Sequence, residues 1–131
     1  MAKLNYHIHT DAVKEKLIPE RIHYNSRKNS FIYANEADLL NLALFGKTAK
    51  DWKTQNPDKK GNMRDYASAE QLLVLTNLES HNAQFIKEGL SAIERLVKLN
   101  EIAIYQVQIL VNHSVSQRLL NDKTSRKHIS E

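Results

Sequence analysis

Three glycines and two prolines in 131 residues leave this chain few places to turn sharply. A strand-and-turn fold needs turn residues every few positions, whereas a helix runs on until a breaker stops it. The scarcity of both breakers therefore points to long helices and an all-α fold. Hydrophobic residues make up 41% and charged residues 26%, which is enough apolar material for the core of one domain.

The helix starts are written locally. Asn35 precedes Asp38 by three positions, Thr48 precedes Asp51, Ser68 precedes Gln71 and Ser91 precedes Glu94. In such pairs the first side chain accepts from an N3 amide. A Glu or Gln at N3 reaches back to the cap, and an Asp there suits the positive helix end. The stops agree: Gly46 and Gly89 sit where a left-handed residue closes a helix, and Pro57 ends the segment after Trp52. The spacing predicts helices at 36–45, 49–55, 69–88 and 92–112. Leu4, Ile8 and Ala12 predict another over 2–17, ended by Pro19. Residues 20–30 read as a polar loop, Phe31-Ile32-Tyr33 as a short extended piece, and Asp58 to Arg64 as a loop around Gly61.

The expected architecture is a compact bundle of about four to five helices forming one domain over 1–112. A polar, basic tail follows at 113–131, where the apolar pattern weakens towards fraying. The short Gly89-Leu90 link makes 69–88 and 92–112 antiparallel neighbours. Helix 69–88 carries Leu72, Leu73, Leu75, Leu78, Phe85 and Ile86. Helix 92–112 carries a stripe of Ile93, Leu96, Val97, Ala103, Ile104, Val107, Leu110 and Val111, widened by Leu99, Ile102 and Ile109. A helix apolar over most of its circumference is covered on several sides. Either 92–112 is the central helix, or Leu99, Ile102 and Ile109 meet a partner chain, in which case self-association is expected. Asn100 lies in the stripe, and 76–82 reads Thr-Asn-Leu-Glu-Ser-His-Asn. These polar groups are expected to pair across the seam, since an unpaired buried polar group is costly.

The chain has no cysteine, no bilayer-length apolar run and no signal-peptide apolar region, so a cytoplasmic setting without membrane contact is expected. The net charge is +4; much of it lies in the basic tail from Arg118 to His128, and another part in Lys47, Lys50, Lys53, Lys59, Lys60 and Arg64. These six could contact nucleic-acid phosphates, or they could simply keep the surface soluble. Trp52, flanked by Lys50 and Lys53, could stack on a base but is more simply a core residue. Tyr66 reads as a staple beside the Ser68 start.

His7-Ile8-His9 resembles the paired imidazoles of metal-dependent hydrolases. On a strand the two would share a face; on a helix they point about 200° apart and cannot share a metal. Glu79 and Asn82 are placed for structural pairing with a neighbouring helix, with His81 on another face. No phosphate loop, dinucleotide fingerprint or nucleophile elbow is present, so neither enzymatic chemistry nor a cofactor is expected.

Three stretches, Ala2–Pro19, Tyr33–Trp52 and Asn56–Tyr66 running on to Ala103, together resemble the C-terminal region of bacterial KilA-N domain proteins. The resemblance covers about residues 2–112. In that family, common in phages and mobile elements, DNA binding belongs to a separate N-terminal module. The resemblance therefore implies a non-enzymatic accessory or assembly domain that works beside such a module, which this chain is expected to lack. It transfers no DNA-contacting residue to these positions. A small basic nucleic-acid-binding domain is the alternative, and a hydrolase using His7 and His9 stands behind both.

Overall fold

The computed structural model describes residues 17–23 and 35–130, with side chains described as far as His113. The helix expected over 2–17, His7 and His9, most of the 20–30 loop and the Phe31–Tyr33 piece lie outside the described residues. The described part is an all-α bundle without a strand. It contains α1 (Glu36–Phe45), α2 (Ala49–Gln55), a 3-10 turn (Met63–Tyr66), α3 (Ala69–Lys87) and α4 (Ala92–Ser130).

Each start forms by the expected chemistry. Asn35 Oδ1 accepts from the Asp38 amide at 2.9 Å and Thr48 Oγ1 from that of Asp51 at 3.1 Å. Ser68 and Gln71 exchange both capping-box bonds, at 2.9 and 3.0 Å, and Ser91 and Glu94 do so at 3.3 Å. At the end of α3, Leu90 donates to the Phe85 carbonyl and Gly89 to that of Ile86. This is a Schellman closure around Gly89 at φ 82°.

One boundary differs. The helix expected to stop near 112 continues to Ser130. No glycine or proline follows Gly89, so nothing local ends it, and a weakened apolar pattern does not break a helix. At 1.5 Å per residue its 39 residues span about 58 Å, against about 28 Å for the 19 of α3.

The core lies where α4 packs against both α1 and α3. Leu39, Leu42 and Leu44 from α1, Val74, Leu75 and Leu78 from α3, and Leu96, Leu99, Ala103 and Val107 from α4 form one buried cluster. Burying each leucine contributes about 1.5–3 kcal/mol. A smaller cluster joins Trp52 and Met63 with Phe45, Tyr66 and Ala67. Trp52 is therefore core and unavailable for stacking on a base. Tyr66 packs on Trp52, ring centroids 5.2 Å apart, and its hydroxyl donates to the Lys60 carbonyl. It braces the 56–66 connection rather than stapling α3.

The seam polar groups pair in part as expected. Asn77 Nδ2 donates to Gln106 Oε1 at 3.0 Å across α3 and α4. Asn100 does something else. It is fully buried, and its amide behaves like a piece of backbone. Oδ1 accepts from the Ile22 N–H at 2.6 Å, while Nδ2 donates to the carbonyls of Glu20 and Ala43, each at 2.9 Å. One side chain thus pins the 20–22 segment and satisfies a carbonyl in the last turn of α1.

Candidate interaction surfaces

The three residues expected to widen the stripe of α4 separate in the structure. Leu99 is wholly buried in the core and so is not a surface residue. Ile102 is half-buried, and Ile109 is 48% exposed. Tyr105, which hydrophobic patterning did not single out, is 66% exposed. Ile102, Tyr105 and Ile109 follow i, i+3, i+7 spacing and share one face of α4. That spacing was readable, but a tyrosine, half polar, carries little weight in a hydrophobic stripe.

On α3 the expected apolar face also splits. Leu75 and Leu78 are buried, whereas Leu72, Leu73 and Ile86 are exposed. The reason is the position of α1 and α4, which cover only the side bearing Val74, Leu75 and Leu78. The Asn77–Gln106 bond fixes the antiparallel register. One turn back along α3 is Leu73, and one turn on along α4 is Ile109, so the two lie at the same level of the seam. Leu73, Ile102, Tyr105 and Ile109 therefore make one apolar strip along the α3–α4 seam. Leu72 and Ile86, two heptads apart on α3, lie on another side.

The same register carries a second consequence. Eight residues back from Asn77 is Ala69, where α3 begins; eight on from Gln106 is position 114. The final 17 residues of α4 thus extend past the start of α3, an overhang of about 25 Å.

Of the six basic residues of 47–64, Lys47 precedes α2, Lys50 and Lys53 lie on it, and Lys59, Lys60 and Arg64 follow it; four already serve the fold. Lys47 donates to Gln55 Oε1, and Lys53 to the Lys59 carbonyl. The Lys59 ammonium sits 5.1 Å from the Tyr66 ring centroid. Arg64 Nε donates to Asn41 Oδ1 at 3.3 Å, and its guanidinium lies 4.0 Å from Glu79. The exposed side chains of Lys50 and Lys60 make no such bond among the described residues.

Asn82 pairs with a neighbouring helix, as expected, whereas Glu79 meets Arg64 on the 3-10 turn instead. Asn82 Nδ2 donates to Glu36 Oε1 at 2.7 Å, and Arg95 Nη2 reaches the other carboxylate oxygen at 3.0 Å. Glu36 thereby ties the start of α1 to α3 and α4. Asn82 Oδ1 and Arg95 Nε, on the same two residues, have no partner among the described residues. His81 is exposed, its ring 6.2 Å from that of Phe85. Among the described residues no three or more His, Cys, Asp or Glu are grouped to hold a metal ion, and no helix is long and apolar enough to cross a membrane.

Compared with known protein families, with curated proteins and with solved structures, the chain matches none.

Proposed function

We propose that this domain is a non-enzymatic helical assembly module that pairs with a second copy of itself and works beside a KilA-N-type DNA-binding module. The observation that carries the reading is the apolar strip of Leu73, Ile102, Tyr105 and Ile109, which leads into the α4 overhang. Helices of this length are marginal in water without packing, so a 17-residue overhang gains from a partner helix. A second copy supplies the same strip and the same overhang, as a two-fold interface requires. The KilA-N setting is supported by the resemblance over residues 2–112. In that setting, pairing would set the spacing and avidity of attached DNA-binding modules.

Sedimentation and light scattering test it. The domain should be dimeric at high micromolar concentration, and Leu73→Lys with Ile109→Lys should yield a folded monomer. A strict monomer at that concentration would overturn the association.

A second reading, direct nucleic-acid binding by the 47–64 region and the basic tail, is favoured among the described residues by Lys50 and Lys60, since the other four basic residues of 47–64 are engaged. Changing both to Ala should abolish any salt-sensitive shift of DNA or RNA. Absence of a shift at low salt removes this reading.

A further inference from the structure

Two copies of this fold can meet along α4 in two senses. In a parallel pair each overhang lies against the other overhang. In an antiparallel pair each overhang lies back along the α3–α4 seam of the other copy. Charge, length and register separate the two.

The sequence of the overhang, 114–130, carries Arg118, Lys123, Arg126 and Lys127 against Asp122, a net +3. Over the bundled part of the same two helices, 69–113, the balance is opposite. Five glutamates (Glu70, Glu79, Glu88, Glu94 and Glu101) face three basic residues there, a net −2. A parallel pair sets +3 beside +3. An antiparallel pair sets +3 over −2, and does so twice about the two-fold axis. Like charges brought together cost free energy, and complementary fields fix register.

Length agrees with charge. The overhang has 17 residues, and the bundled stretch of α4 that carries Ile102, Tyr105 and Ile109, 97–113, has the same number. Laying one along the other puts the axis at residues 113 and 114, level with the start of α3. In that register the apolar residues of the first two turns of the overhang, Val115, Leu119 and Leu120, come level with Leu73 and Ile109. Lys123, Arg126 and Lys127 come level with 100–104, where Glu101 is exposed and only Arg21, at 3.9 Å, approaches it.

We infer that the two copies pair antiparallel and exchange overhangs, so that 114–130 of each lies along the apolar strip of the other. The inference rests on the self-association proposed above and names what covers the strip.

The chain has no cysteine, so single cysteines report the arrangement. A disulfide needs Cα atoms within about 7 Å. Ile109→Cys protein is mixed in turn with Gln117→Cys, Arg118→Cys, Leu119→Cys and Leu120→Cys protein and oxidised gently. At least one mixture should give a dimer cross-linked between the two variants. Each variant oxidised alone should stay unlinked, because its own position in the other copy is about 10–20 Å away. Arg126→Glu with Lys127→Glu, read by sedimentation, should weaken the dimer at least about tenfold, since four charges change per dimer. In a parallel pair the same change relieves repulsion and tightens it. A strict monomer before any substitution removes the association and this arrangement with it. A dimer that self-links at 117–120, gives no mixed cross-link, or is tightened or unmoved by the charge reversal leaves the association standing and overturns the exchange. If the reversal instead abolishes a salt-sensitive shift of duplex DNA, the overhang belongs to nucleic acid.

Discussion

Replacing Asn100 by leucine, which has the same branched shape, isolates what a buried amide does for this fold. The change leaves three backbone groups without their partner: the Ile22 N–H and the carbonyls of Glu20 and Ala43. The Ala43 bond is fully buried, so water cannot replace it, and the cost there is the full desolvation penalty of about 1–3 kcal/mol. The other two are part-buried and regain some hydration, adding about 0.5–1 kcal/mol each. The leucine recovers about 1 kcal/mol or more of apolar burial. The net expectation is a loss of about 1–4 kcal/mol, a large share of the 5–15 kcal/mol typical of a domain. Urea unfolding reads the total, with an unchanged slope. Hydrogen exchange reads the mechanism: Ile22 amide protection should fall far more than that of Leu78 in the core. Unchanged protection at Ile22, or a stability loss below about 0.5 kcal/mol, would refute the view that Asn100 pins the 20–22 segment.

Three further outcomes follow from single contacts. Glu36→Ala removes the carboxylate that Arg95 and Asn82 share. Because Glu36 is half-exposed and water can reach the gap, the loss should be about 2 kcal/mol by denaturant unfolding, below that of a fully buried pair. Gly61→Ala should cost more than Gly46→Ala. Both sit at positive φ, but a Cβ at 61 collides with the Asp65 carboxylate, whereas one at 46 meets nothing within 4 Å, so the strain alone, about 1–2 kcal/mol, applies there. The side-chain and backbone hydrogen bonds to Ser91, with help from Lys98, hold the Glu94 carboxyl below its ordinary value of 4.5. Its contribution is therefore present above the ordinary value and lost as pH falls through the lowered one. Ser91→Ala should move the Glu94 titration, followed by NMR, back towards 4.5.

The start of each helix was legible because a cap acts within four residues: Asn35, Thr48, Ser68 and Ser91 all bond as their spacing implies. Long-range choices were not. Asn100 binds residues 57 to 80 positions away, so its partners leave no periodic trace. Leu72 and Leu73 look as apolar as Leu75, and only the placement of α1 and α4 decides which are covered. The end of α4 was misjudged because fading amphipathicity marks the end of packing, and packing ends before the helix does.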